Sequence, residues 1–284
     1  MADHPATNAA SLFFGASAGR SGTMTLANLL NAEDRVVCLH EGKIRRLEES
    51  GEQWLPFLTL QNLEAYRHPD RAVEIFRRMR SKIVALAEEH DLVALGDIAY
   101  NNSPFVGAIP EVFPQARLMV LIRDGRDFVR SAYTGDQEDP TPVGWPKDRP
   151  LSKLEQYIAL GRLRPAGSSA EDSPWHRLTP LEKNAWLWAE TNRIIFDNLS
   201  RWPEDRVLVL RLEDFVADPL ATYAQVRRFL RLPGPMPEAA PRLIEKKINH
   251  RSHYVLPPWK EWSPEMTSAF WDQAGEMMQR LGYA

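Results

Sequence analysis

The residues Gly15-Ala-Ser-Ala-Gly19-Arg20-Ser21-Gly22-Thr23 stand between an apolar run, Ser11–Gly15, and a helical pattern, Thr23–Asn31. Small residues let a backbone wrap closely round an oxyanion, and a helix that begins there aims its N–H groups and positive dipole end at the same point. Arg20 adds a charge-assisted partner, and the hydroxyls of Ser21, Thr23 and Thr25 can donate further hydrogen bonds. The alternative is a small-residue turn that binds nothing; glycine content, position and Arg20 together favour an anion. A second cluster, Arg123-Asp-Gly-Arg-Asp-Phe-Val-Arg-Ser131, follows the apolar run Arg117–Ile122. Arg123 falls at the carboxyl edge of a strand, and Ser131, eight residues on, falls about two helical turns later. Both can reach one phosphate if the helix packs back toward that edge. By itself the cluster reads equally well as a solvated helix start with Asp124 as N-cap.

These clusters need a scaffold, and the rest of the sequence supplies one. Short apolar runs at Ser11–Gly15, Arg35–Leu39, Leu92–Gly96, Arg117–Ile122 and Arg206–Leu210 alternate with longer helical patterns. That alternation predicts an α/β fold, with a parallel sheet between helices and strands buried on both faces. Arg71–His90 carries Val73, Phe76, Ile83, Val84 and Leu86 mostly on one side. Thr179-Pro-Leu-Glu182 places a cap, a first-turn proline and a capping-box glutamate at the start of a helix that runs to about Arg201. Ser263-Pro264 opens a last helix in the same way, and Gly282 closes it. One single domain is expected over residues 1–284, with no internal repeat. Gly135–Ser173, rich in Pro, Gly, Ser and Asp apart from a short helical pattern at Leu151–Leu163, reads either as a lid over the substrate or as a disordered insert.

Composition bounds the function. Hydrophobic residues make up 44% of 284, enough for a core, and the formal net charge of −3 argues against nucleic acid as a partner. The lone Cys38 allows no internal disulfide and suits a reducing compartment. No Cys/His cluster has zinc spacing, so no metal is expected. The polar stretch Met1–Ser11 carries no signal-peptide core and no membrane span is expected, so the reading is cytoplasmic. Oligomeric state is not legible. The nine tryptophans are core or interface residues or line a pocket.

The first loop resembles a nucleotide-triphosphate P-loop but departs from it. A Walker loop has four residues between its glycines and a lysine after the second. Here Gly15 and Gly19 enclose three, and Arg20 stands in the lysine's place. No strand is expected to end in an aspartate placed for Mg²⁺, which weakens the case for a metal-dependent phosphotransferase. Arg20-Ser-Gly-Thr after the first strand, however, resembles the 5′-phosphosulfate loop of the PAPS-dependent sulfotransferases. Arg123 and Ser131 within Leu-Ile-Arg-Asp-Gly-Arg-Asp resemble the 3′-phosphate motif of that family, with Gly125 where the family often has proline. Arg211-Leu-Glu-Asp-Phe is similar to the acidic segment after its last strand.

The resemblance implies a three-layer, P-loop-like fold with a central, mostly parallel five-stranded sheet flanked by helices, and PAPS lying across its carboxyl edge. Arg20, Ser21, Gly22, Thr23, Met24 and Thr25 would hold the 5′ end, and Arg123 and Ser131 the 3′-phosphate. Arg251, in a late loop, is the candidate for an arginine that closes over that phosphate. The implied reaction moves a sulfuryl group from PAPS to a hydroxyl or amine of a small-molecule or glycan-like acceptor and releases PAP. An acceptor proton must leave as the S–O bond forms. His40-Glu41, just past the second strand, offers two candidate bases, Glu41 favoured over His40; a helix-capping role for Glu41 is the alternative. Arg20 would stabilise charge on the departing oxygen. Asp97–Ser103 is expected to face the acceptor; Trp186 or Trp188 either approaches the adenine or packs in the core. His250, His253, Trp259 and Trp262 either line the pocket or belong to a rigid surface turn at Pro257-Pro258. A small-metabolite phosphotransferase and a non-catalytic nucleotide-binding protein are the alternative functions.

Overall fold

Each of the five apolar runs forms a strand in the computed structural model, which describes residues 10–40, 57–138, 163–168, 172–245 and 253–284. In chain order the elements are β1 (Ser11–Ser17), α1 (Thr23–Leu30), β2 (Val36–Leu39), α2 (Phe57–Arg67), α3 (Pro69–Glu89), β3 (Ala94–Ile98), α4 (Ile109–Val112) and β4 (Arg117–Ile122). They continue with α5 (Gly125–Glu138), α6 (Pro180–Asp197), β5 (Val207–Arg211), α7 (Leu212–Ala217), α8 (Pro219–Leu230), α9 (Ala240–Glu245) and α10 (Pro264–Arg280). Glu41, Arg251, His250, all but the last residue of the pattern Leu151–Leu163 and most of the expected lid lie outside the described residues.

The strands form one sheet in the order β2-β3-β1-β4-β5, and all four pairings are parallel, so the sheet is wholly rather than mostly parallel. β1 is central, pairing Phe14 with Asp97 on one side and with Leu118 on the other. Successive residues of a strand point to opposite faces, and the core divides accordingly. Phe14, Leu118, Val120 and Ile122 meet Phe76 of α3, Phe128 of α5, Trp188 of α6 and Phe270 of α10. Phe13, Cys38, Met119, Leu121 and Leu210 meet Leu26 and Leu30 of α1, Phe215 of α7 and Tyr223 of α8. Two such faces make three layers, and the order places the turn after β1 where neighbouring connections diverge, the position at which open α/β sheets take ligands.

Local signals account for several helix starts. The capping box at Thr179 has both halves, with the Thr179 side chain accepting from Glu182 N–H and the Glu182 carboxylate accepting from Thr179 N–H. That helix stops at Asp197, short of Arg201, and a 3-10 turn at Leu199–Arg201 completes the run. Ser263 caps α10 by accepting from Met266 N–H, and Asp218 caps α8 by accepting from Ala221 N–H. In α3 the buried side is Ile75, Phe76, Met79, Ile83 and Leu86, while Val84 lies outside it and is exposed.

Candidate nucleotide-binding site

The chain leaves β1 at Ser17 and reverses through a tight loop in which Gly19 (φ 92°), Arg20 (φ 56°) and Gly22 (φ 79°) all take left-handed backbone. Two of the three are glycine, the residue that adopts this region without penalty; Arg20 is there at a cost of about 1–2 kcal/mol. The loop is tied internally. Gly19 N–H donates to Ser17 Oγ at 3.0 Å, and the Ser21 hydroxyl donates to Gly19 O at 2.9 Å. Ser21 is buried, so its hydroxyl braces the loop instead of projecting from it. Gly22 is the N-cap of α1 and has no side chain with which to cap it. The Thr23, Met24 and Thr25 turn therefore meets the edge with the dipole end of α1 behind it.

The floor of the loop comes from the segment after β3. Asn102 Nδ2 donates to Gly15 O and Asp97 O at 3.1 and 2.9 Å, and Ser103 Oγ donates to Ser17 O at 3.0 Å. Both residues are fully buried. Of the stretch expected to face the acceptor, Asn102 and Ser103 instead hold up the back of β1. The expectation about strand ends also changes: β3 extends two residues beyond the sequence reading, so Asp97 lies in the strand beside β1 and is buried. Burial, then the Asp97 charge, pushes the Cys38 thiol well above its usual range.

The two sequence clusters meet. Arg20 Nε donates to Ser131 Oγ at 3.0 Å, and Arg123 donates from its guanidinium to Arg20 O at 2.9 Å. The helix after β4 does pack back toward the edge. Asp124 caps it as expected, accepting from Arg126 N–H at 2.8 Å, and also forms a two-pronged ion pair with the Arg126 guanidinium. Trp188 Nε1 donates to Arg123 O at 3.0 Å while its ring is fully buried, so the core reading of Trp188 holds and its polar edge fixes the site. A Cβ on Gly125 would lie 2.9 Å from the Trp188 ring and 3.1 Å from Met278 Sδ, so close packing explains glycine at this turn. Burial raises the Asp127 carboxyl above its ordinary value, against the opposing Arg123 charge.

His40, at the end of β2, brings Nε2 to 3.1 Å from Thr23 Oγ1 in the first turn of α1. Trp186 packs edge-on against Trp175. Trp262 packs against Phe270 and donates to Pro257 O, which assigns it to the core and the turn. Trp259 covers Arg126 at 3.9 Å and Tyr254 covers Arg130 at 4.0 Å, cation–π contacts that lay this segment against α5. Two further residues take part: Glu213, from the acidic segment after the last strand, which accepts from Asp124 N–H at 2.9 Å, and Tyr283, marked by no sequence signal, which donates to Glu213 and accepts from Arg126. Among the described residues no group of three or more His, Cys, Asp or Glu side chains could hold a metal ion, and no helix is long and apolar enough to cross a membrane.

The fold has counterparts among solved structures. The sulfotransferase domain from the curacin biosynthetic pathway is 16% identical with a TM-score of 0.53, covering 97% of this chain and 98% of that one. A sulfotransferase from Alicyclobacillus acidocaldarius is 14% identical with a TM-score of 0.53, covering 96% of each. The sulfotransferase STF1 from Mycobacterium tuberculosis H37Rv is 13% identical with a TM-score of 0.52, covering 93% of this chain and 77% of that one. No family model and no curated protein matches the chain. With a wholly parallel sheet ordered β2-β3-β1-β4-β5 and an arginine-bearing loop between β1 and α1, the chain is built on the sulfotransferase fold.

Proposed function

We propose that this protein is a sulfotransferase that takes PAPS as donor, moves its sulfuryl group to a hydroxyl or amine of a small-molecule or glycan-like acceptor, and releases PAP. The observation that carries the reading is the junction of Arg20, Ser131 and Arg123 at 3.0 and 2.9 Å, which gathers donors from two distant motifs at one sheet edge. The donor set suits a ligand with a phosphate at each end: two guanidiniums, the Ser131 hydroxyl and the glycine-led start of α1. The Arg20–Thr25 turn would hold the 5′ end and Arg123 with Ser131 the 3′-phosphate; Arg251 is the proposed third contact.

In the proposed reaction an acceptor oxygen or nitrogen bonds to sulfur while the bond from sulfur to the bridging phosphate oxygen breaks. That oxygen leaves with the electron pair, and the acceptor's proton passes to a base, Glu41 or His40. Arg20 and the loop amides are placed to take up the developing charge, worth about 10²–10³ in rate for one donor. No metal is required by this scheme.

A second reading, a phosphotransferase acting on a small metabolite, draws on Asp97, buried near the end of β3 opposite Phe14 of β1. A non-catalytic nucleotide-binding protein is the third. Transfer of labelled sulfate from PAPS to a panel of hydroxyl and amine acceptors separates them. Label appearing in an acceptor with EDTA present supports the first. Label staying in PAPS, with ATP turned over only when Mg²⁺ is supplied, replaces it with the second. PAP binding without transfer to any acceptor leaves the third.

A further inference from the structure

We infer that Glu213 is a positioning residue that fixes the spacing between the two phosphate subsites; the inference rests on the proposed PAPS reading. Arg211, Leu212, Glu213 and Phe215 run from the end of β5 into α7 and touch both halves of the site. On one side, a Cβ on Gly22 would lie 3.0 Å from Leu212 Cδ1 and 3.5 Å from Phe215 Cδ1, so these side chains back the last residue of the Arg20 loop. On the other side, one Glu213 carboxylate oxygen accepts from the backbone N–H of Asp124, the residue directly after Arg123, at 2.9 Å. A single rigid turn therefore abuts both ends of the site.

The carboxylate is itself held. Its second oxygen accepts from the Tyr283 hydroxyl at 2.9 Å. The Arg211 guanidinium stacks 4.5 Å from the Tyr283 ring and donates to Leu281 O, and Arg126 donates to Tyr283 O at 3.0 Å while it pairs with Asp124. Burial, then the adjoining Glu213 charge, raises the Tyr283 phenol, so it stays the donor of this pair. The chain of contacts runs from Tyr283 through Glu213 to the turn that carries Arg123, whose guanidinium ends on Arg20 O. Glu213 touches no reacting group; it acts through the Asp124 amide. Losing it would let the Arg123 turn drift from the loop, and a ligand bound at both ends would suffer more than one bound at a single end.

The test compares affinity for PAP, with both phosphates, to adenosine 5′-monophosphate, which lacks the 3′-phosphate. It is read in the full chain by calorimetry, with amide hydrogen exchange at Asp124. Glu213→Ala is expected to lower the ratio of the two affinities about fivefold, the size of one partly exposed charge-assisted hydrogen bond, and to speed Asp124 exchange. Glu213→Gln keeps an acceptor for the amide and should restore most of both. If Glu213→Ala does not fold, Tyr283→Phe frees the second oxygen and should move the ratio the same way by about twofold. A wild-type ratio that survives unchanged in these variants overturns the positioning role while leaving the PAPS reading standing. A wild type with no preference for PAP sinks the PAPS reading itself, before any variant is compared.

Discussion

Arg20 and Ser131 are 111 residues apart in sequence and share a hydrogen bond of 3.0 Å, Nε to Oγ. Arg20 is held in left-handed backbone at φ 56°, its carbonyl taken by Arg123 and its side chain by Ser131. The Arg20 loop and the Arg123–Ser131 motif are thus one structure, and neither can be altered without disturbing the other.

The first expectation is non-additivity. Arg20→Ala should lower sulfuryl transfer about 10²–10³-fold, and Ser131→Ala should weaken PAP binding about tenfold. The double variant should lose less than the product of the two, because residues in one network couple. Arg20→Lys should not recover the loss, since a lysine cannot offer the same forked geometry to both partners. Steady-state rates and PAP titrations of the four proteins close the cycle; strict additivity would mean that the 3.0 Å bond carries no energy.

The close approach at Gly125 gives a second expectation. Gly125→Ala forces a methyl against the Trp188 ring, a clash with a usual cost of about 1–3 kcal/mol, and pushes the Arg123 carbonyl off Trp188 Nε1. Trp188→Phe keeps the ring's place in the core but removes that hydrogen bond, for about 1 kcal/mol. Denaturant unfolding should rank Gly125→Ala the more destabilised if crowding dominates. PAP affinity should fall in both. An unchanged affinity in both would separate the Arg123 turn from the ligand site.

Much of this was legible in the sequence, for identifiable reasons. Strands such as Arg117–Ile122 are short apolar runs with sharp polar borders, and Thr179-Pro-Leu-Glu spells its own helix start. Errors fall where borders are soft: β3 runs two residues beyond its apolar run because Asp97, though charged, is buried in the strand. Pro219–Leu230 carries the same kind of start signal in Asp218-Pro219, yet its mixed polarity hides the periodicity, and Phe57–Arg67 has only weak amphipathicity. The Arg20 loop and the Arg123 motif stood out because their residue types suggest a chemistry, and the structure brings the two together. The contacts of Glu213, Tyr283 and Asn102 could not be read, even where their segments drew notice, since they span 70 to 89 residues that no local pattern encodes.

The anchoring of α1 leads to a pH expectation. The Tyr223 hydroxyl donates to Glu33 at 2.6 Å and to Leu29 O at 2.9 Å, in a fully buried setting that Arg227 completes through its own pair with Glu33. Burial first, and the bond to Glu33 second, raise this phenol far above the ordinary tyrosine range. A raised folded pKa means that the contribution is whole below the unfolded value, near pH ~10, and is lost as pH climbs toward the folded one. Tyr223→Phe should be less stable at neutral pH by about 1–3 kcal/mol, from the buried Glu33 and Leu29 acceptors deprived of the hydroxyl, with a flatter alkaline decline than the wild type. Urea unfolding at several pH values checks this; parallel alkaline slopes would assign the decline to other groups.

The base is the remaining choice, and the geometry of His40 sharpens it. Its Nε2 lies 3.1 Å from the Thr23 hydroxyl, so the ring is engaged with the first turn of α1. A histidine in that role orients the loop, whereas a base must meet the acceptor's proton directly. Glu41, the next residue, is therefore the proposed base. Glu41→Ala should lower transfer about 10²–10⁴-fold, the range for a lost general base, with PAP affinity retained. His40→Ala should instead weaken PAP binding, through a loosened Thr23, and lower transfer less. The two variants need both readouts, PAP titration and sulfate transfer at saturating donor. If His40→Ala keeps its PAP affinity and loses transfer while Glu41→Ala turns over normally, the roles are exchanged, and the Thr23 contact is then what orients the base.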